Sequence, residues 1–290
     1  MAPDLSTQNI SFIGGGNMAA AIISGLLAKG FDKQKIHVSE PWEVNRNKMA
    51  ELGVKTTTSN LEAAAGADIL IVAVKPQVAK TVCQELAGAW SSSSSSSSTL
   101  PLLVSIAAGI TSESLRAWST TSAGKAPPVV RVMPNTPALV GEGASGLFAA
   151  GDDVSAEQRE LVTGLMSTVS KATEWVDREE LLDVVTGLSG SGPAYFFAIV
   201  EHLVASATRL GLSEEQATRL AKQTCFGAGK TMLESAETPA QLRRNVTSPN
   251  GTTQAALESF EASGLAGIVD KAVEAATKRG EELGRTLAQG

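Results

Sequence analysis

Several residue types that carry specific chemistry are scarce in this 290-residue chain, which has two cysteines, two histidines and one tyrosine. Cys83 and Cys225 lie in separate helical patterns, which is typical of a reducing compartment and not of a disulfide framework. No Cys/His cluster has metal-site spacing, and neither a Gly-x-Ser-x-Gly elbow nor a phosphate-binding Gly-Lys-Ser/Thr sequence occurs. These absences argue against a resident metal and against a serine nucleophile.

Dense basic stretches and long apolar runs are also missing. The net charge is −6 and the pI is near 5.2, so nucleic acid and anionic membranes are poor partners. The first ten residues lack the basic and apolar regions of a secretory signal, and runs such as "ADILIVAV" are too short to span a membrane. We therefore expect a soluble, cytoplasmic protein.

The first half of the chain alternates apolar runs with helical patterns. Nearly continuous β-branched runs separated by helices indicate a parallel sheet covered on both faces, a doubly wound α/β domain. The predicted strands lie at residues 10–14, 35–39, 69–74, 102–106 and 129–133, with late strands at 144–150 and 172–176.

Strand patterns end after Asp177. The following segment "GPAYFFAIVEHLVASATRLG" is apolar around most of its circumference, which predicts a buried helix, and only helical patterns follow it. We therefore expect an α/β domain at residues 1–177 and an all-helical domain at residues 178–290.

Local signals mark several helix starts and one loop. Capping boxes, in which a Ser or Thr precedes a Gln by three positions, are predicted at residues 155–158, 213–216 and 238–241. The eight-serine tract at residues 91–98 has nothing to bury, so it is predicted to be a surface loop without a chemical role.

The segment "FIGGGNMAAAI" carries the pattern Gly14-x-Gly16-x-x-Ala19 between the first strand and the first helix. The first glycine allows a tight turn, and the second lets the main chain approach a pyrophosphate. Ala19 permits close helix packing, and the helix N-terminus supplies free amides. This context predicts a dinucleotide-binding site.

The end of the second strand, Ser39-Glu40-Pro41, bears on the choice of nucleotide. A carboxylate at this position usually accepts hydrogen bonds from the ribose hydroxyls and repels a 2′-phosphate, which favours NAD. Arg46 and Asn60 oppose that effect, and Ser39 can bind a phosphate. The residues leave NADH and NADPH both open.

Three further loops follow predicted strands, where such a sheet binds ligands. "AVKPQ" contributes Lys75, "SIAAGIT" follows the next strand, and "MPNTPALVGEG" contributes Asn135 and Thr136. A solvated lysine and an ordinary Asn-Pro turn are the alternatives for these residues.

No obvious proton acceptor accompanies the predicted nucleotide site. A hydride-transfer enzyme that acts on alcohols generally needs a proton acceptor, often a His, Lys or Tyr. His37 lies inside the second strand, while His202 and Tyr195 lie in the predicted buried helix, where structural roles are expected.

The segment "NVTSPNGTTQAALESF" at residues 245–260 concentrates small hydroxyls and free amides before a helix. Ser248, Gly251, Thr252 and Thr253 precede or open that helix, and Asn250-Gly251 favours positive φ. Ordinary helix capping is one reading. The other is an anion site for a carboxylate substrate with an electrophilic centre, such as a protonated imine.

Six segments together resemble the pyrroline-5-carboxylate reductases. They are "FIGGGNMAAAI", "AVKPQ", "VSIAAGIT", "VRVMPNTPALVGEG", "VTGLSGSGPAYFF" and "NVTSPNGTTQAALESFE", in family order from residue 12 to 261. The resemblance implies a Rossmann-like N-terminal domain, a C-terminal helical domain for dimerisation and substrate, and reduction of L-1-pyrroline-5-carboxylate to L-proline. It implies NADPH as cofactor, with NADH also used, and homodimers assembled into a decamer.

The resemblance also assigns site residues. Thr253 would face the ring nitrogen as the catalytic residue, and Ser248, Gly251 and Thr252 would bind the substrate carboxylate. The nucleotide would contact Gly14, Gly16, Asn17, Met18, Ser39, Asn60, Ala73, Lys75 and Pro76, with the nicotinamide near Ala107, Ala108, Asn135 and Thr136.

One departure concerns Asn250, where the family usually has glycine. Asn tolerates the left-handed backbone well, so we expect the turn to be kept. Two alternatives remain on the residues: a related reductase of another imine or carbonyl, and a non-catalytic dinucleotide-sensing protein of the same fold.

Overall fold

The structure is a computed structural model that describes residues 4–92 and 99–289. Its contacts divide the chain into two compact units. The first runs to Gly190 and includes the chain from Ala275 onward, and the second is Ser191–Glu274. The sequence analysis placed its domain boundary earlier, after Asp177.

The first unit contains a sheet and its covering helices. The strands are β1 (Ile10–Ile13), β2 (Ile36–Ser39), β3 (Lys55–Thr57), β4 (Ile69–Val72), β5 (Leu102–Ser105), β6 (Val129–Met133), β7 (Gly143–Ala149) and β8 (Ser170–Trp175). The helices are α1 (Asn17–Ala28), α2 (Glu43–Glu51), α3 (Asn60–Ala64), α4 (Pro76–Ser92), α5 (Ser112–Ser119), α6 (Ala156–Met166) and α7 (Leu181–Val185).

The strand order is β3-β2-β1-β4-β5-β6-β7-β8, and every neighbouring pair is parallel except β6 with β7. The doubly wound prediction is confirmed for β1 to β6. The predicted late strand β7 is also present and runs antiparallel to β6, because the short connection at residues 134–142 contains one 3₁₀ turn, Thr136–Val140, and no crossover helix. Parallel neighbours need a longer crossover.

The sequence analysis missed β3. This strand reads Lys-Thr-Thr, pairs only with β2 at the sheet edge, and buries no residue fully. A short polar edge strand lacks the apolar run on which strand prediction depends.

Alternate strand residues enter two cores on opposite faces of the sheet. Ile69 and Ile71 join one cluster with α1 and α6, while Leu70 and Val72 join the other with α4 and α5. Burial on both faces explains the uninterrupted apolar strands.

Two of the three predicted capping boxes are confirmed, at Ser155 and Ser213. At the third, the Thr238 hydroxyl accepts a hydrogen bond from the main-chain amide of Gln241. The Gln241 side chain, however, bonds Asn245 and Arg244 and not the main-chain amide of Thr238. The prediction of a loop over the serine tract was wrong for its first two residues, because Ser91 and Ser92 are the last residues of α4. Residues 93–98 lie outside the described residues.

The second unit is helical. It contains α8 (Gly192–Arg209), α9 (Glu214–Glu234), α10 (Pro239–Asn245) and α11 (Thr252–Ala262), together with the first part of α12 (Leu265–Gln289). None of the described helices combines the length and apolarity needed to cross a membrane.

The prediction that the segment at α8 is buried was wrong for the single chain. Phe196, Phe197, Ile199 and Leu203 are all exposed, and Phe197 retains 68% of its accessible surface. The segment is apolar on most sides, as expected, but the rest of the described chain does not pack over these four side chains. Exposed apolar surface of this extent marks an interaction face.

Candidate active site

The glycine-rich loop lies where the strand order reverses, between β2 and β4. Gly14 has φ +102°, and its amide donates to the Ser39 carbonyl at 2.8 Å. A Cβ at Gly14 would lie 2.7 Å from the main-chain oxygen of Ala73. Glycine is therefore required here for both backbone conformation and close approach. The location is the switch point at which open α/β sheets bind ligands.

Gly16 immediately precedes α1 and leaves its helix end open. No side chain caps this N-terminus, and a Cβ at Gly16 would meet nothing within 4 Å. The first-turn residues Asn17 and Met18 present amides without intrahelical partners, and Ala19 is buried against the core. Free amides and open space at a helix N-terminus fit a pyrophosphate.

The end of β2 is occupied by hydrogen bonds within the protein. Ser39 is fully buried and donates its hydroxyl to Asn60 Oδ1 at 2.7 Å, and Asn60 donates to Glu85 at 2.7 Å. The Glu40 carboxylate, expected to face a ribose, instead accepts from the main-chain amides of Gly15 and Trp42.

The loops after β4 and β5 lie at the same edge of the sheet. Ala73 donates its amide to Ile13 at 2.8 Å, Lys75 is exposed, and Pro76 begins α4. Ala107 is buried, and Ala108 is exposed beside it. These predicted residues follow the carboxyl ends of parallel strands, as Gly14 does, and Ser39 is the last residue of β2.

Asn135 and Thr136 follow β6. Thr136 is exposed, whereas Asn135 is buried and uses both ends of its amide: Nδ2 donates to the Ser189 carbonyl at 3.0 Å, and Oδ1 accepts from Ala144 at 2.9 Å. Ser189 lies in a π-helical turn, Thr186–Gly190. The sequence analysis gave Ser189 no role, although π-helical turns are frequent at functional sites.

A buried ion pair next to these loops was also missed. Arg131 in β6 donates to Glu179 at 2.7 Å, and Glu179 also accepts from the amide and hydroxyl of Ser112 at 2.6 and 2.9 Å. Arg131 and Glu179 line a cavity of about 880 Å³ that is also lined by Asp183, whose pKa is raised by burial. The arginine inside the apolar strand "VVRVM" could have indicated this ion pair, because a buried charge needs a partner of opposite charge.

The predicted anion site opens α11 in the second unit. Asn250 has φ +58°, as expected from the resemblance, and its amide donates to Gln254 Oε1 at 2.8 Å. Gly251 precedes the helix without a side-chain cap. Ser248 and Thr252 are exposed, and Thr253 is half-buried. The Thr253 hydroxyl makes no hydrogen bond within the described parts of the chain.

The described residues offer few alternatives for acid–base or nucleophilic chemistry. Burial raises the pKa of the Cys83 thiol to about 12, so it stays protonated. Burial also lowers the pKa of His37 in β2. His202 is exposed on α8 in the single chain, and Tyr195 is half-buried. No group of three or more His, Cys, Asp or Glu in residues 4–92 and 99–289 is placed to hold a metal ion.

Two family models match the chain. Residues 179–283 match the pyrroline-5-carboxylate reductase dimerisation family, and residues 9–109 match the family described as NADP oxidoreductase, coenzyme F420-dependent. The exposed apolar face of α8 lies within the dimerisation match, and the chain forms a homo-oligomer.

Full-length relatives agree with these matches. A pyrroline-5-carboxylate reductase from Pseudomonas aeruginosa is 48% identical, covering 98% of this chain and 100% of the relative. A solved reductase from Coxiella burnetii has a TM-score of 0.87 at 41% identity, covering 96% of this chain and 98% of that one. A Plasmodium falciparum pyrroline carboxylate reductase with NADP bound has a TM-score of 0.81 at 29% identity, covering 97% of this chain and 100% of that one. This chain therefore belongs to the pyrroline-5-carboxylate reductase family.

Proposed function

We propose that the chain reduces L-1-pyrroline-5-carboxylate to L-proline with a reduced nicotinamide dinucleotide, the last step of proline synthesis. Family membership gives the reaction. The observation that carries it in the structure is the uncapped N-terminus of α11, because it offers amides and hydroxyls to a carboxylate without a strong base. A cyclic imine is already electrophilic and needs no base to activate it.

The first unit binds the dinucleotide in this proposal. The open helix end at Gly16, Asn17 and Met18 binds the pyrophosphate, and the loops after β2 and β4 contact the nucleoside. Ala107, Ala108 and the turn at Asn135 and Thr136 border the nicotinamide. The bound cofactor supplies a hydride from its nicotinamide ring, and the protein orients the reactants.

The second unit binds the substrate carboxylate in this proposal. Amides at the start of α11, with the hydroxyls of Ser248 and Thr252, hold the anion where the helix dipole favours negative charge. The left-handed turn at Asn250 sets the direction of the following amides. The Thr253 hydroxyl bonds the ring nitrogen and orients the imine carbon.

Thr253→Ala should reduce kcat/KM about tenfold or more, a loss of ~1.4 kcal/mol or greater in transition-state stabilisation. The variant loses the hydroxyl but keeps a helix-compatible side chain. Thr253→Ser is the matched control and should retain most activity because it keeps the hydroxyl. Unchanged kcat and KM for Thr253→Ala, in a steady-state assay of reduced nucleotide, would remove Thr253 from the mechanism.

We also propose that the homo-oligomer is built from dimers joined through the helical unit and assembled into a decamer. The exposed phenylalanines of α8 support a dimer interface there. Phe197→Glu should break the dimer contact and lower the mass of the assembly, because a desolvated carboxylate is costly in an apolar interface. Lys29→Glu, which replaces an exposed residue of the first unit, should leave the mass of the oligomer unchanged. Light scattering after size exclusion measures both, and an unaltered mass for Phe197→Glu would contradict this interface.

A rate assay with pyrroline-5-carboxylate and either reduced nucleotide tests the proposed reaction. We expect nucleotide oxidation matched by proline formation. Turnover only with another imine or carbonyl would identify a related reductase. Nucleotide binding without turnover of any of these compounds would identify a sensing protein.

We place the enzyme in the cytoplasm. Both cysteines are free in the structure, and Cys83 is buried in α4. This is the pattern of a reducing compartment. Cell fractionation followed by the same assay tests the placement, and activity in a secreted fraction would overturn it.

A further inference from the structure

The carboxylate of Glu40 is built into the glycine-rich loop. Its Oε2 accepts from the Gly15 amide at 2.8 Å and its Oε1 accepts from the Trp42 amide at 2.9 Å. Glu40 is only 8% exposed. It packs closely on Gly15, because a Cβ added to Gly15 would lie 3.2 Å from the Cβ of Glu40. Glu40 thus ties the loop after β1 to the start of α2.

These contacts change the meaning of an acid at the end of β2. An acid that selects NAD must present its oxygens to the ribose hydroxyls. Glu40 presents almost no surface, and two amide dipoles face its negative charge. The group that normally repels a 2′-phosphate is therefore turned into the protein.

Arg46 provides positive charge at the same strand end. Its Nη1 donates to the carbonyl oxygens of Glu40 and Pro41, both at 3.0 Å, which holds the guanidinium beside the loop. Within the described chain, no other hydrogen bond or ion pair joins this guanidinium to a residue, including the nearby Glu43. Its remaining N–H donors match a phosphate well.

Ser39 already has a hydrogen-bond partner within the protein in the arrangement observed. Its side chain is fully buried and its hydroxyl proton is donated to Asn60. Arg46 is half-buried and reaches the strand end from α2.

We propose that Arg46 selects NADPH over NADH by binding the ribose 2′-phosphate, and that Glu40 is a positioning residue that holds the glycine loop without opposing that phosphate. This inference rests on the proposed function, since it requires a dinucleotide at the glycine loop. It assigns a preference that the sequence left open.

Calorimetric titration of NADP⁺ and NAD⁺ into the full-length protein, without substrate, tests the assignment. Arg46→Gln should weaken NADP⁺ binding about tenfold or more and change NAD⁺ binding less than about twofold. Arg46→Lys should weaken NADP⁺ binding by an intermediate factor, because lysine keeps the positive charge but lacks the planar guanidinium group. Lys48→Gln, an exposed charge removal on the same helix, should change neither affinity.

Glu40→Gln separates the two roles of the acid. A glutamine amide cannot accept from both main-chain amides, so a positioning role predicts weaker binding of both nucleotides by a similar factor. Selectively tighter NADP⁺ binding would show that Glu40 opposes the 2′-phosphate and would overturn the proposal.

The remaining outcomes are also decisive. If the wild-type protein binds both nucleotides and Arg46→Gln and Arg46→Lys leave their ratio unchanged, the Arg46 assignment fails while the reductase function stands. If the wild-type protein binds neither nucleotide, the proposed function fails as well.

Discussion

Replacing Gly14 by alanine should destabilise the first unit by about 3 kcal/mol. Gly14 has φ +102°, which side chains with a Cβ rarely adopt, and the new Cβ would lie 2.7 Å from a main-chain oxygen. Backbone strain and overpacking each cost roughly 1–3 kcal/mol. Chemical denaturation followed by tryptophan fluorescence reports on this unit, because all four tryptophans lie before Gly190.

Gly16→Ala is the matched control and should have the opposite pattern of effects. A Cβ at Gly16 meets nothing within 4 Å, so stability should be kept. The methyl would occupy the space left for a pyrophosphate, so nucleotide binding should weaken about tenfold, or ~1.4 kcal/mol. Normal stability for Gly14→Ala, or unchanged nucleotide affinity for Gly16→Ala, would contradict the assigned roles of the two glycines.

Glu179→Ala should destabilise the same unit by about 3–5 kcal/mol, since it leaves Arg131 buried without its carboxylate. Only 8% of the Arg131 side chain and 24% of the Glu179 side chain are exposed. The substitution also removes the acceptor for the Ser112 amide and hydroxyl. The denaturation midpoint measures the loss.

Two further variants show whether the unpaired charge is the cause. Glu180→Ala removes an exposed neighbouring acid and should change stability by less than about 0.5 kcal/mol. Adding Arg131→Met to Glu179→Ala should recover part of the loss, because no charge then remains unpaired. A double variant as unstable as the sum of both single variants would show that the ion pair is not the source.

The sequence predicted those parts of the molecule that depend on regular patterns. Strands such as β4 and β5 were found because burial on both faces requires uninterrupted apolar runs. The glycine loop was found because tight backbone approach requires glycine at fixed spacing. The turn at Asn250 was predicted from the tolerance of asparagine for left-handed backbone, and the structure confirms it at φ +58°.

The missed features depend on partners distant in the chain. Arg131 and Glu179 meet across separate elements, and neither position reveals the other in the sequence. The same is true of the Asn135 side chain and the Ser189 carbonyl. Apolar periodicity correctly indicated that α8 has surface to cover, but it cannot distinguish burial by the same chain from burial by another.

Deuterium transfer tests the central claim most directly. The protein would be incubated with pyrroline-5-carboxylate and a reduced nucleotide carrying deuterium on the transferred position of the nicotinamide ring, and the product analysed by mass spectrometry. We predict proline with a single deuterium on the former imine carbon. Unlabelled proline, or no proline while the nucleotide is bound, would contradict direct hydride transfer by this protein.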